Sequence, residues 1–451
     1  MFLTQPAHCG IDLMDQVRAR VSYANARKLG YTLPHSVSQK GHRTKESLKL
    51  CRSQRDSRLN SRSISLRADG VKSWLHIRLG ILRRQKHLSS RRAIGIGIIG
   101  AGFARTTQIP GFRDCMGARV VAIASRHREN AENVAREFGI DIVSGDWREI
   151  IDRDDVDLVS VVTPPATHCE ITLAALDHGK AVLCEKPMAM NAQETKLMTE
   201  KARAMGLLAL VDHELRFLKS RRSMRAMLHN GAIGNVRHCN YVFRSDYRGV
   251  LDRAWDWWSD ANMGGGTLGA IGSHVIDSLR WVLGTEIKAI CCLLSAHIAQ
   301  RPHKASGEMR PVTSDDEAKL LFRFADSRLT NRATGSASLS VVESGRHENR
   351  LEIYGTTGAL MVEETGELWH SPAGSGTWRP VQVDQDPMAP GMRESSWSRG
   401  FTALSCAIVN ALRTGEETVA GAATFEDGHR VQLALDAARA SNQSGCWANV
   451  D

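Results

Sequence analysis

The six residues Gly100-Ala101-Gly102-Phe103-Ala104-Arg105 have the spacing of a phosphate-holding turn. In a G-x-G-x-x-G turn the first glycine permits a tight bend and the second lets backbone approach a pyrophosphate. The third allows a helix to pack closely on a strand. Gly100 and Gly102 fill the first two places, and Arg105 stands in the third. A cation in the first turn of a helix opposes the helix dipole by about 0.3–1 kcal/mol, whereas a bound pyrophosphate reverses that sign. Arg105 is therefore expected beside the phosphates, with Phe103 and Ala104 completing the cofactor loop. A second signal is Ser125-Arg126. An Asp or Glu at the end of the second strand of such a unit binds the ribose 2′-hydroxyl of NAD. Here no acid occurs until Glu129, and a guanidinium and a hydroxyl are available for a 2′-phosphate. One charge-assisted contact of about 1.5–3 kcal/mol corresponds to roughly ten- to hundredfold discrimination. NADP(H) is the expected cofactor, with NAD(H) as the other possibility.

Around these residues the chain reads as a repeating strand–helix series. IGIGIIG from Ile94 is a short β-branched run ending in glycine, the pattern of a buried parallel strand. The strand RVVAIAS follows from Arg119, then the helix ENAENVAREFG with Gly139 as its stop, and the strand LVSVVTPP from Leu158. The helix CEITLAALDHG, the strand KAVLCEKP, the helix AQETKLMTEKARAMG and the strand LLALVDH complete the series. This alternation predicts a Rossmann domain, a doubly wound parallel sheet over 93–215. From 216 to 451 the pattern changes. VRHCNYVFRSDY, AKLLFRFADSRLTNRATGSASLSVV and RLEIYGTTGALMVEE alternate polar and apolar residues and are joined by glycine turns. They predict a second α/β domain with a large, open, mainly antiparallel sheet. A single helix, SHVIDSLRWVLG, interrupts the strands, and FEDGHRVQLALDAARASNQSG forms a C-terminal helix.

At Glu185-Lys186-Pro187 a sharper motif appears. A strand ending in E-K-P, after the glycine turn and the T-P-P-x-x-H of Thr163, Pro164, Pro165 and His168, resembles the Gfo/Idh/MocA family of sugar and cyclitol oxidoreductases. GGGTLGAIGSHVIDSLRWVLG from Gly264, LEIYGTTGAL and FEDGHRVQLALDAA extend the resemblance from about Ile94 to Val450. The resemblance implies a Rossmann domain joined to an α/β domain whose open sheet often makes oligomer contacts. A homo-oligomer, dimer or tetramer, is therefore expected. It also implies hydride transfer between a nicotinamide and a hydroxyl or keto carbon of a sugar, cyclitol or related polyol. Such transfer needs a group to hold the substrate oxygen and a partner for its proton. By motif position Lys186 sits between nicotinamide and substrate, and His274 is the acid/base residue. Thr163, Pro164, Pro165, His168 and Glu185 fall on the cofactor side.

Many relatives carry an aspartate four residues before that histidine, where this chain has Ala270. Asp277, at i+3 from His274, shares its helical face and is the candidate replacement; satisfying helix N-terminal amides is the alternative use for it. His213, just past the strand LLALV, is a further acid/base or substrate-binding candidate. Tyr247 and Arg248, and Trp255, Asp256, Trp257 and Trp258 of RAWDWWSDANMGGG, are candidates to line a sugar pocket, although ordinary packing accounts equally well for the tryptophans. The rival reading is a non-catalytic nucleotide-binding sensor of the same fold. Ala270 favours it, and Lys186 and His274 oppose it.

The totals exclude other classes. No apolar run reaches the 18 or so residues of a membrane span. No cysteine spacing suggests a metal site, so none is expected, and reduced thiols in a cytoplasmic protein are the simplest reading. The net charge of +10 is unevenly spread: residues 1–92 hold 20 of the 59 Lys+Arg and 5 of the 49 Asp+Glu, leaving the remainder mildly acidic. This basic, Ser-rich extension has three readings: a disordered tail or upstream-start artefact, a transit peptide, or a nucleic-acid arm. The first is preferred, so nucleic acid is not an expected partner, and the folded enzyme is expected to begin near Ile94.

Overall fold

The structure, a computed structural model, describes residues 92–451; the expected basic extension, apart from Arg92, lies outside the described residues. The first strands are β1 Ile94–Ile99, β2 Ala118–Ala124, β3 Ile142–Ser144, β4 Leu158–Val161, β5 Ala181–Cys184 and β6 Ala209–Val211; all but the three-residue β3 are strands of the predicted alternation. All pair in parallel, in the order β6-β5-β4-β1-β2-β3. The order reverses between β1 and β4, and a doubly wound sheet binds ligands outside its carboxyl edge at such a switch point. The helices are α1 Ile109–Asp114, α2 Arg128–Phe138, α3 Arg148–Ile151, α4 His168–Asp177 and α5 Ala192–Met205. Gly139 ends α2 in the left-handed region at φ 64°, as the sequence predicts. The Asn191 side chain caps α5 by accepting from Glu194 N at 3.0 Å.

The second half opens with α6 Lys219–His229 and β7 Val236–Arg244, then α7 Ser273–Leu283 and β8 Ile287–Ser295. β9 Gln300–Pro302 and β10 Met309–Pro311 form a separate ribbon. β11 Glu317–Phe324 and β12 Thr330–Ser340 are a hairpin, as are β13 Glu348–Gly355 and β14 Gly358–Val362. β15 Leu368–Pro372, β16 Arg379–Val381, β17 Ala423–Thr424 and β18 Ala448–Asn449 follow. The nine-stranded sheet runs β16-β15-β14-β13-β7-β12-β11-β8-β18 and is antiparallel except for β12 with β7. On β11, Ala318, Leu320, Phe322 and Phe324 point into a core shared with Val275, Ile276 and Leu279 of α7. The opposite face leaves Leu293 and Leu321 exposed.

Two features differ from the sequence reading. More than one helix interrupts the second half: α6 and the 19-residue α8, Ser396–Thr414, stand beside α7, with α9 Phe425–Ser444 as the C-terminal helix. In α6 the core-facing stripe is Arg221, Met224 and Leu228, so a buried arginine conceals the apolar period. Its guanidinium donates to Tyr241 Oη at 2.8 Å and to Ser278 Oγ at 3.2 Å. Second, the first sheet does not end at β6. β17 pairs antiparallel with it, and Phe401, Leu404 and Ile408 of α8 pack in the same core as Ile94, Ile96 and Ile98 of β1.

Candidate active site

The glycine loop leaves β1 at the switch point. Gly100 has φ +113°, and a Cβ built on it would lie 2.3 Å from the Val162 carbonyl oxygen, so only glycine fits there. A Cβ on Gly102 meets nothing within 4 Å, which leaves the loop open on the side from which a pyrophosphate would approach. Phe103 is exposed and Ala104 buried. The segment Ala104–Gln108 is a π-helical turn leading into α1. Arg105, expected beside the phosphates, is exposed, with Nε donating to Glu137 on α2 at 2.6 Å. This open, glycine-lined turn fits a dinucleotide, with Arg105 neutralised locally by Glu137. At the end of β2, Ser125 is half-buried and Arg126 exposed.

The T-P-P and E-K-P loops are joined by His168. Its buried ring lies between the carbonyls of Thr163 and Pro187, 2.7 Å from Nε2 and 3.0 Å from Nδ1 respectively. Burial holds its pKa below the usual histidine value. Thr167 Oγ1 donates to Thr163 Oγ1 at 2.7 Å and stiffens the same turn. Pro165 is buried, and Gly264 approaches it so closely that a Cβ there would sit 2.5 Å from the proline ring. The Trp-rich segment of the second half is thereby keyed to the T-P-P loop.

Behind Lys186 lies a buried polar network absent from the sequence reading. Gln108 Nε2 donates to Glu185 Oε1 at 2.8 Å and to Asp212 Oδ2 at 3.0 Å. The Ser160 hydroxyl donates to Gln108 Oε1. Burial, then the neighbouring carboxylates of Glu185 and Glu214, push Asp212 well above the usual carboxylate range. The low-dielectric surroundings therefore favour the protonated form of Asp212.

Lys186 follows directly, with Nζ donating to the Ala270 carbonyl at 3.4 Å. Ala270 belongs to a second π-helical turn, Leu268–Gly272, which delivers His274 at the start of α7. π-turns recur at functional sites because they re-aim side chains. His274 is buried, its ring 4.5 Å from that of Trp397 on α8 and edge-on to His213 at 5.4 Å. Burial, followed by the nearby Lys186 charge, holds His274 well below the usual histidine value, so its imidazole is neutral. Burial pushes His213 down to about 4.

Glu214 completes the cluster. Its Oε2 lies 3.9 Å from His274 Nδ1, and neither atom has a hydrogen-bond partner among the described residues. Burial pushes this carboxyl up to about 8, partly offset by Lys186. A carboxyl thus stands beside His274 although position 270 lacks one.

Asp277 lies close enough for its charge to raise His213 and Glu214, but its carboxylate is engaged by Arg216 and not by His274. Arg216 Nε donates to Asp277 Oδ2 at 2.8 Å and Arg216 Nη2 to Oδ1 at 2.5 Å. Both carboxylate oxygens are thus occupied in a buried fork, to which Asp427 adds a contact at 3.1 Å. Arg248 and Asp256 likewise pair with each other, at 2.7 and 3.1 Å, rather than offering themselves to a ligand. Tyr247 and Trp257, both partly exposed, group around Trp258, each with ring centres 6.0 Å from it.

Of the residues missed, Asp212 and Glu214 flank the flagged His213, and a D-H-E triplet at a strand's carboxyl end was a usable signal. Gln108 and Trp397 carried none, because their neighbours come from distant chain. Among the described residues, no group of three or more His, Cys, Asp or Glu could hold a metal ion, and no helix is long and apolar enough to cross a membrane.

Comparison with known proteins agrees with this fold. Residues 94–213 match the oxidoreductase family with an NAD-binding Rossmann fold, and residues 222–361 match the GFO/IDH/MocA C-terminal domain. Levoglucosan dehydrogenase of Pseudarthrobacter phenanthrenivorans is 30% identical over 291 residues, covering 59% of this chain and 73% of that protein. A solved levoglucosan dehydrogenase in complex with NADH and levoglucosan superposes with a TM-score of 0.70 at 26% identity, covering 80% of this chain and all of that one. An oxidoreductase domain protein from Kribbella flavida gives a TM-score of 0.71 at 28% identity, covering 80% of this chain and 99% of that one.

Proposed function

Because the chain belongs to the Gfo/Idh/MocA family of oxidoreductases with an NAD-binding Rossmann fold, we propose that it moves a hydride between a nicotinamide dinucleotide and a hydroxyl or keto carbon of a sugar, cyclitol or related polyol. One observation carries the reading: Lys186 and the neutral His274 converge beside the Ala270 carbonyl, at the carboxyl edge of the first sheet. The dinucleotide, when bound, supplies the hydride acceptor or donor. Lys186 holds the substrate oxygen through its ammonium. His274, being neutral, accepts the hydroxyl proton as that oxygen becomes a carbonyl, and returns it in the reverse direction. Glu214 orients the ring from its Nδ1 side; a closure of about 1 Å makes that contact a hydrogen bond. The Gln108–Glu185–Asp212 network fixes the backbone from which Lys186 projects.

A hydroxyl-rich substrate suits a site that leaves the buried His213 Nδ1 without a hydrogen-bond partner among the described residues. Tyr247 and Trp257 offer aromatic faces to sugar C–H groups. Ser125 and the exposed Arg126, with no carboxylate at the end of β2, favour NADP(H). The levoglucosan dehydrogenase structure holds NADH and a sugar, which supports a nicotinamide and a carbohydrate here. Exposed Leu293 and Leu321 on the open face of the large sheet support assembly into a dimer or tetramer.

The test is cofactor absorbance change across a panel of sugars and cyclitols. Lys186→Ala and His274→Ala are each expected to lower kcat at least about 100-fold with cofactor Kd nearly unchanged. Full turnover in both variants refutes the mechanism. A dinucleotide that binds with no substrate turning over favours the sensor reading.

A further inference from the structure

We propose that Cys115 and Cys406 are a modification site that closes into a disulfide under hydrogen peroxide, tying the helix behind the glycine loop to the helix that carries Trp397. Cys115 directly follows α1 and is buried, whereas Cys406 sits midway along α8 and is exposed. Their sulfurs are 2.7 Å apart although 291 residues separate them in sequence. The helices beneath are already locked together. Phe112 and Phe401 meet edge-on at 5.4 Å, and a Cβ on Gly111 would lie 2.6 Å from the Phe401 ring. Closing the bond therefore needs a sulfur shift of only about 0.7 Å, within reach of side-chain rotation.

The surroundings prepare one sulfur to react first. Cys115 Sγ also contacts the Gly111 carbonyl at 3.1 Å and Ser405 Oγ at 3.4 Å. The hydrogen bond from Cys115 brings Cys406 down to about 7, and the same contact raises Cys115. Cys406 is thus the exposed thiolate and Cys115 the resolving thiol. The Cys406 sulfur attacks peroxide: an S–O bond forms, the O–O bond breaks, and hydroxide leaves and is protonated to water. Once Cys406 is a sulfenic acid, its negative charge no longer holds the proton on Cys115. The Cys115 sulfur then attacks the Cys406 sulfur, the S–S bond forms, the S–O bond breaks, and the hydroxyl departs with the Cys115 proton as a second water. Two thiols and one peroxide give one disulfide and two waters.

Both ends of this link bear on the candidate site without belonging to it. α1 continues the π-turn that holds Gln108, and α8 begins beside His274 through Trp397. The crosslink restrains the movement of α8 relative to the glycine loop, whatever the substrate.

The full-length protein treated with near-stoichiometric hydrogen peroxide, then unfolded, alkylated with maleimide and peptide-mapped without reductant, tests this. Two of the ten cysteines should escape alkylation. One peptide pair should carry Cys115 joined to Cys406, two hydrogens lighter than its reduced halves, on a chain that runs as a monomer in a non-reducing gel. Tm should rise on oxidation. Cys406→Ser should abolish the crosslink and the Tm rise, while Cys446→Ser, at another exposed cysteine, should leave both. In Cys115→Ser the Cys406 sulfenic acid should persist and be trapped by dimedone. Ten alkylatable cysteines after peroxide, Cys406 driven to sulfinic acid beside a reduced Cys115, or a crosslink to any other cysteine overturns the proposal.

Discussion

Replacing Asp277 separates a structural carboxylate from a catalytic one. Asp277 and Arg216 are 2% and 5% exposed at their side chains, and both carboxylate oxygens are held by the guanidinium. Removing one partner of such a buried pair costs about 3–5 kcal/mol, because the other charge is stranded. Asp427 remains 3.1 Å from Arg216 and partly compensates, which places Asp277→Ala near the lower end, at about 3 kcal/mol. With an unfolding entropy of about 2.1 cal/mol/K per residue over the roughly 360 described residues, that is a Tm loss of about 4 °C. Asp277→Asn, which retains the shape and one acceptor, should lose less. Asp277→Ala combined with Asp427→Ala should lose more than the sum of the two, since both act on one guanidinium. The assay is thermal unfolding alongside kcat at a temperature well below every midpoint. Asp277→Ala is expected to keep kcat within about threefold, the residual effect coming through the packing of α7. An unchanged midpoint with turnover abolished refutes the reasoning and returns Asp277 to the reacting centre.

Gly100→Ala should destabilise by at least about 3 kcal/mol, because strain at positive φ adds to a clash with immovable backbone; Gly102→Ala should cost under about 1 kcal/mol yet weaken cofactor binding, as read by Tm and cofactor titration. For Glu214 the folded pKa of about 8 lies above the ordinary 4.5, so folding favours the protonated acid. Its contribution is fully present below about pH 4.5 and is lost as pH rises through about 8. Glu214→Gln should therefore gain Tm on the wild type progressively between pH 5 and 9, and a pH-independent difference sinks that account. Arg126→Ala should lower kcat/KM with NADPH roughly ten- to hundredfold and leave NADH within about twofold, whereas a wild type that prefers NADH refutes the assignment.

The first sheet was legible because a buried parallel strand announces itself as a short β-branched run, and five such runs alternate with helices ending in glycine. The hairpins β11–β12 and β13–β14 were legible from period-two alternation. α8 was also readable, since Phe401, Leu404, Ile408 and Ala411 keep helical spacing, but its N-terminal SWSRG looks like loop. α6 was hidden by Arg221, a charge in a core position whose hydrogen-bond partners, Tyr241 and Ser278, come from other elements. The positions of Lys186 and His274 could be anticipated because each sits in a local motif. For Asp277, helical spacing reports which face the side chain shares and not that Arg216 engages its carboxylate. Glu214 and Trp397 depend on approaches from other elements, which no local pattern encodes.

The short strand β17 has a consequence for biosynthesis. The nucleotide-binding half needs β17 to cover the edge of β6 and α8 to fill the core under β1, yet both are made near the end of the chain. At about 5–20 residues per second, the stretch from Val211 to Ala423 takes roughly 10–40 s to emerge from a ribosome. Throughout that interval β6 presents an unpaired edge and Ile94, Ile96 and Ile98 lack their cover, the state in which a nascent chain most readily aggregates. Its yield in cells should therefore depend on holdase chaperones, and a chain cut after β6 should be insoluble even though it contains the whole glycine loop.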